Sequence, residues 1–167
     1  RPGHNQIFAT KETIEIMKER YGANFCEKFT VYDYNQNFKI QDINLFFAPA
    51  GHVLGSAQII INYNNQRVTF AGDYKRQHDP TCMPFEPIKS DIFVTEATFG
   101  LPVFKHPDAN TQIEILIKSI QKFPNRCHII GVYSLGKAQR IIKMLRTKGW
   151  MDTIYMHGSL VKICRLY

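Results

Sequence analysis

No Cys-x-x-C pair occurs in these 167 residues. The four cysteines, Cys26, Cys82, Cys127 and Cys164, stand far apart, which excludes a zinc knuckle and a dithiol redox motif. No apolar run approaches the roughly 20 residues that a membrane-spanning helix needs. The stretch "LFFAPAGHVLG" is broken by Pro, Gly and His well before that length, so the chain reads as soluble, with no membrane partner. No signal-peptide pattern opens it, and reduced, buried thiols in the cytoplasm are the expectation. Internal repeats and low-complexity tracts are also missing, which excludes a solenoid or a disordered tail. Acidic residues are in deficit: 14 Asp and Glu stand against 21 Lys and Arg, for a formal net charge of +7. The basic residues are scattered along the chain and not gathered in one tail. Such a balance favours an anionic partner, nucleic acid being the obvious one.

What is present is enough for one domain with a real core, or for two partial ones. "QIFAT" reads as a short strand. It leads into a helix over "KETIEIMKERYG", with Ile14, Met17 and Tyr21 at helical spacing, Thr10 as N-cap and Gly22 as the stop. Strand candidates follow in "KFTVYDY", "FKIQDINLFFAPA", "AQIIINYNNQRVTFAGD" and "SDIFVTEAT". The third of these folds back as a hairpin at Asn64-Asn65, because Asn tolerates positive φ. After residue 100 the texture changes to alternating helix and strand. "DANTQIEILIKSIQKF" is a helix with Ile113, Leu116, Ile117 and Ile120 on one face, "CHIIGVY" a buried strand, "LGKAQRIIKMLRTKG" a second helix, "TIYMHG" another strand, and a last helix follows. That alternation is typical of parallel α/β architecture, whereas residues 1–100 read as antiparallel β with one helix. A boundary falls in "GLPVFKHP", which separates regions 1–100 and 101–167.

Chemistry concentrates at two strand ends. His52 follows the apolar run "INLFFAPA", and Asp73 follows "RVTFAG", with Gly72 before it allowing a sharp turn. Two polar residues at strand termini, joined by a hairpin of about 20 residues, can converge on one rim of a sheet.

"APAGHVLGSAQ", then "VTFAGDYKR", then "VTEATFG" resemble, in order and spacing, three successive motifs of the metallo-β-lactamase-fold nucleases of the β-CASP group. The continuation through "DPTCMPFEPIKSDIFVTEATFGLPVFKHPD" is similar to the bacterial ligase-associated DNA exonucleases, also called mRNA 3'-end processing exonuclease-like proteins. The resemblance implies an α/β (α+β) fold: part of an αββα lactamase sandwich followed by the start of a β-CASP α/β insert. It implies that His52 binds one of two zinc ions, that Asp73 bridges both, and that Glu96 supports the catalytic histidine by hydrogen bonding. It implies hydrolysis of DNA or RNA phosphodiesters, with the metals activating water and stabilising charge on the phosphoryl oxygens.

In that family the motif H-x-H-x-D-H supplies most of the metal ligands and comes shortly before an Arg-Pro-Gly-His segment. This sequence opens on "RPGH" and contains no such motif. The turn-like Arg1-Pro2-Gly3 opening and the uncapped ending "VKICRLY" make the chain look like an internal fragment. His4 matches no motif position. His157, in "YMHGSL", falls inside the β-CASP region and is read as structural. A catalytic zinc takes three protein ligands and a water, so the expectation is an incomplete zinc site and no catalysis by this chain alone. A complementing N-terminal fragment, or a homo-oligomer formed through exposed sheet edges, is the expected partner besides nucleic acid. Lys75 and Arg76, beside the rim, are candidate contacts to a nucleic-acid backbone. So are Ser134, as N-cap, and Lys137, in the first turn of the "LGKAQR" helix. Three other readings stay open. The sequence is part of a complete nuclease; it is a non-catalytic nucleic-acid-binding or assembly module; or it is a lactamase-fold hydrolase of a small substrate.

Overall fold

The computed structural model describes residues 3–167, so Arg1 and Pro2 of the turn-like opening lie outside the described residues. Strand β1 (Gln6–Ala9) runs into helix α1 (Lys11–Tyr21) and returns as β2 (Lys28–Val31). Thr10 caps α1 by accepting the Thr13 N–H at 3.3 Å, and Gly22 closes it by donating to the Lys18 carbonyl at 2.8 Å. β1 and β2 pair in parallel, in the register Gln6 to Lys28 through Ala9 to Val31. The first region is therefore not wholly antiparallel, because a helix between two strands carries the chain back to the end where it started.

Five further strands form the main sheet: β3 (Phe38–Ile40), β4 (Ile43–Pro49), β5 (Ala57–Tyr63), β6 (Gln66–Phe70) and β7 (Ile92–Val94), paired in that order. The single strand expected over "FKIQDINLFFAPA" is two, split where Gln41 takes a φ of 53° and the chain reverses. The Asn64-Asn65 hairpin forms as expected, with φ of 47° and 61° at its two central residues. β7 joins β6 in parallel.

Period-two alternation gives the sheet its two faces. Leu45, Phe47 and Ile61 share one face with Phe38, and Phe8 and Tyr32 cover it from the β1–β2 layer. The rings of Tyr32 and Phe38 stack 3.8 Å apart at 8°. Gln58, Ile60 and Thr69 occupy the other face and are fully buried. Gln58 donates its amide there to the carbonyls of Pro49 and Glu86, while its Oε1 has no partner among the described residues. The result is a core between two sheet layers, which accords with the lactamase sandwich that the resemblance implies.

Helices α2 (Ala109–Lys122), α3 (Lys137–Thr147) and α4 (Gly158–Leu166) follow. α2 buries Ile113, with Leu116, Ile117 and Ile120 half-buried along the expected face. The two strands expected between these helices are not found. Residues 127–133 and 153–157 pair with no other strand, and Ile129 and Tyr155 are each 91% exposed. An apolar β-branched run needs a neighbouring strand to complete its hydrogen bonds, and no described residue supplies one. No helix among the described residues is long and apolar enough to cross a membrane.

Candidate metal-ligand rim and its supports

β4 and β6 point the same way, so residues just beyond their C-terminal ends meet on one rim of the sheet. His52 lies in the 51–56 loop after β4, and Asp73 lies three residues after β6. Their Nε2 and Oδ2 atoms stand 3.7 Å apart. That is too long for a hydrogen bond. It is within the span of about 4 Å open to two donors each about 2.1 Å from one ion. Both side chains face solvent. Glu96, beyond β7 on the same side, accepts the Thr98 N–H at 2.7 Å. Hydrogen bonds from the Thr98 backbone and side chain, with a smaller contribution from His52, hold the Glu96 carboxyl below its ordinary value despite slight desolvation. The three motif residues therefore come together at one edge.

The loops that carry them are pinned from several directions. Ser56 Oγ accepts the backbone N–H groups of His52 and Val53, each at 3.1 Å. Thr10 and Thr13 hydroxyls, at the start of α1, both donate to the Gly55 carbonyl at 2.8 Å. Tyr34 donates its hydroxyl to the Ser56 carbonyl at 3.0 Å, and burial there pushes its pKa up to about 12. Gly51 and Gly55 sit at φ of 70° and 77°. A Cβ on Gly51 would meet the Lys75 carbonyl at 2.4 Å, and one on Gly55 the Thr13 nitrogen at 2.7 Å. Glycine is thus required on both sides of His52 by conformation and by space.

The Asp73 loop is tied to the His52 loop by the Lys75 N–H, which donates to the Ala50 carbonyl at 3.0 Å. Beneath it lies Asp79, 4% exposed. Its carboxylate accepts from Lys75 Nζ and from the Thr81 backbone and hydroxyl, and stands 3.5 Å from Arg140 Nε of α3. Burial pushes the Asp79 carboxyl up. The hydrogen bonds from Lys75 and Thr81 and the Lys75 charge outweigh it and hold the group below its ordinary value. Burial also pushes the neighbouring Cys82 thiol up to about 11, so that thiol is protonated and unreactive. From the helical half, Tyr167 accepts the Leu54 N–H at 3.1 Å, and Gly136 packs against Val53.

These contacts revise part of the expected site. Lys75 is engaged by Asp79. Arg76 is exposed and makes no ion pair with any described residue. Ser134 does not cap α3. Gly136 stands at the N-cap, and the Ser134 carbonyl instead accepts from Gln139 Nε2 at 2.9 Å. Lys137 is the first helical residue and is exposed. His157 caps α4 by accepting the Ser159 N–H, the structural part expected of it. His4 contributes its carbonyl to the Cys26 thiol. Sequence reasoning did not find Asp79 or the Thr10, Thr13 and Tyr34 supports. Buried or half-buried polar groups outside a motif carry no periodic signal.

The fit of the rim to a metal is partial. Among the described residues no group of three or more His, Cys, Asp or Glu is placed to hold an ion. His52 and Asp73 fit two positions of a metal site and do not complete it. A cavity of about 550 Å³ lies at the opposite end of the sheet, around Asn64, Arg67 and Asp91, and no histidine or cysteine lines it.

The fold, the order of the three motifs and their meeting at one rim accord with the resemblance to the β-CASP group of metallo-β-lactamase-fold proteins, the group to which the curated relatives matching this chain belong. Its curated relatives include cleavage and polyadenylation specificity factor 73 of Drosophila melanogaster, 30% identical over 83% of this chain and 21% of the relative. Another is endoribonuclease ysh1 of Aspergillus fumigatus, 35% identical over 68% of this chain and 13% of the relative. The chain thus spans about a fifth or less of the length of these relatives. A solved structure of a protein of unknown function from Enterococcus faecalis superposes with a TM-score of 0.64 at 13% identity, covering 96% of this chain and 45% of that one, and supports the fold alone. No protein-family model matches the chain.

Proposed function

We propose that this chain contributes one edge of the active centre of a zinc-dependent endoribonuclease. The observation that carries the reading is the 3.7 Å approach of His52 Nε2 to Asp73 Oδ2 at a rim shared with Glu96, in a chain whose relatives are named endoribonucleases. His52 and Asp73 would be two of the residues that hold the metal, and Glu96, kept ionised by Thr98, would orient a histidine supplied from outside the 167 residues. The remaining ligands come from an H-x-H-x-D-H sequence elsewhere in a longer protein or on a complementing chain. Zinc, when bound, supplies the Lewis acidity that phosphodiester hydrolysis needs near neutral pH. This chain's own part is to fix two donors through the 51–56 and 71–76 loops. Division near residues 100–107 separates the lactamase portion, residues 1–100, from the β-CASP portion, residues 101–167. Four free cysteines accord with a reducing cytoplasm, although only Cys26 is buried as expected and Cys127 is exposed.

The test is cleavage of a labelled single-stranded RNA by the chain alone and by the chain mixed with a polypeptide that carries the H-x-H-x-D-H portion of one of these relatives. The expected result is cleavage only in the mixture, abolished by chelator and by Asp73→Asn. Cleavage in the mixture that Asp73→Asn leaves intact removes the reading.

A second reading, a nucleic-acid-binding module without catalysis, is favoured by the distribution of charge. Residues 101–167 carry eleven Lys and Arg against three Asp and Glu, whereas residues 1–100 carry ten against eleven. The basic residues are scattered, as the sequence shows, but the acids are not. RNA binding that persists in chelator and falls with salt, without cleavage in any mixture, selects this reading.

A further inference from the structure

Between the rim and the basic half lies a feature that the metal site does not use. Tyr133 is 76% exposed and belongs to no strand. Its backbone is nevertheless fixed, because its carbonyl accepts the Ala138 N–H at 3.2 Å where α3 begins. The ammonium of Lys137 stands 5.3 Å from the centre of its ring. One residue before Lys137, Gly136 presses on the His52 loop. A Cβ there would stand 2.4 Å from Val53 Cγ1 and 4.0 Å from the His52 carbonyl oxygen. An exposed aromatic ring with a cation over it is thereby joined, through one short turn, to the loop that carries His52.

We propose that Tyr133 and Lys137 form a nucleotide platform beside the rim, where a base of single-stranded RNA stacks on the tyrosine ring and the adjoining phosphate meets the lysine ammonium. The proposal rests on the nucleic-acid reading above and names the surface that would serve it. Three features argue for this occupant. A tyrosine ring offers a stacking face to any base, and an unpaired strand has base faces free to use it. The cation is already placed for the phosphate that follows. The surrounding residues, 101–167, hold the whole of the chain's basic excess, which draws a polyanion to this side. Lys137 has a stated role here even though Ser134, its expected companion, turns its hydroxyl to no cap.

The experiment is fluorescence anisotropy of a 5'-labelled ten-nucleotide oligouridylate with the 167-residue chain, in EDTA and at several salt concentrations. Tyr133→Ala is expected to weaken binding about fivefold or more, the lower end of what one stacked base contributes. Tyr133→Phe, which keeps the ring, is expected to bind within about twofold of wild type. Lys137→Gln is expected to flatten the dependence of log affinity on log salt by about 0.7, the value of one phosphate on a single strand. Lys39→Gln, on edge strand β3, serves as the charge control and is expected to leave the salt dependence unchanged. Unchanged melting of Tyr133→Ala, expected for so exposed a side chain, ties any loss to the ring. Wild-type binding with Tyr133→Ala within twofold overturns the platform and leaves the nucleic-acid reading standing. No salt-dependent RNA binding by wild type overturns both.

Discussion

Replacing Asp79 with alanine tests whether the ion cluster beneath the rim holds the two halves together. Asp79 accepts the Thr81 N–H at 3.0 Å and the Lys75 ammonium, and it faces Arg140 at 3.5 Å. A hydrogen bond to a charged group contributes about 1.5–3 kcal/mol, and stranding a buried cation costs about 3–5 kcal/mol. The cations here are not wholly buried: the Lys75 and Arg140 side chains are each 23% exposed and can turn partly to water. The expected loss for Asp79→Ala is therefore near the low end, about 2–3 kcal/mol, or roughly 5–10 °C in melting temperature for a chain of this size. Asp79→Asn keeps an acceptor for Thr81 and should lose about half as much. The pH dependence has a fixed sign. The folded carboxyl lies below its ordinary value, so the ionised group stabilises the fold fully above its unfolded pKa of about 3.9. That contribution is lost as pH falls through the lower folded value. Urea denaturation of wild type and both variants at pH 7 and at steps below pH 4 measures it. Hydrogen exchange at the Lys75 amide should accelerate in Asp79→Ala, since Lys75 ties the Asp73 loop to Ala50. A loss under about 0.5 kcal/mol for Asp79→Ala at pH 7 refutes the reasoning.

Gly55→Ala should lower stability by about 3 kcal/mol, because it adds left-handed backbone strain to a Cβ 2.7 Å from the Thr13 nitrogen; a denaturant midpoint equal to wild type would contradict this. Zinc content, measured by elemental analysis after metal supplementation and desalting, should fall below one ion per chain in wild type and in His52→Ala alike. Near two ions, lost in the variant, would show that the two donors are completed by groups not seen at the rim. Self-association is expected at tens of micromolar by sedimentation, since Ile59, Phe70, Ile92 and Val94 share one face of the sheet and are each 40–49% exposed. A clean monomer would count against that face being adhesive.

Much of this architecture was legible because its determinants are local. The Thr10 cap, the Gly22 stop, the Asn64-Asn65 hairpin and the amphipathic face of α2 each depend on residues a few positions apart, whereas the α1 face expected from Ile14, Met17 and Tyr21 is instead buried at Ile14 and Ile16, with Tyr21 exposed. The convergence of His52 and Asp73 was legible for a related reason: β4 and β6 are separated by one antiparallel strand, so their C-terminal ends must share an edge. The "FKIQDINLFFAPA" reversal was missed because Gln-Asp is a weak turn signal beside Asn-Asn, and only the positive φ of Gln41 discloses it. Asp79 was missed because its partners lie at 75, 81 and 140, and the last of these is brought near by the packing of α3.

The unpaired segments teach a different point. "CHIIGVY" and "TIYMHG" have the composition of buried strands, yet a strand is a relation between two chains of hydrogen bonds and not a property of one. Apolar β-branched residues report a capacity for burial. Whether it is used depends on a neighbour that the segment's own sequence does not specify. The same logic separates Tyr133 from Ile129 in the same stretch. Ile129 has only an apolar surface to offer and gains nothing from its 91% exposure. Tyr133 ends the stretch where the backbone is anchored to α3, beside a lysine and next to the His52 loop, and there an exposed ring can bind a base. If pairing of residues 127–133 with a strand from elsewhere in a longer protein buries Ile129, the anchored end need not move, because the Tyr133 carbonyl is already committed to Ala138. Burial of the segment and exposure of the platform are therefore compatible. In a longer protein that contains this chain, hydrogen exchange at Ile129 should slow while iodination of the Tyr133 ring stays fast. Protection of both would place Tyr133 in the core and remove it from any role with RNA.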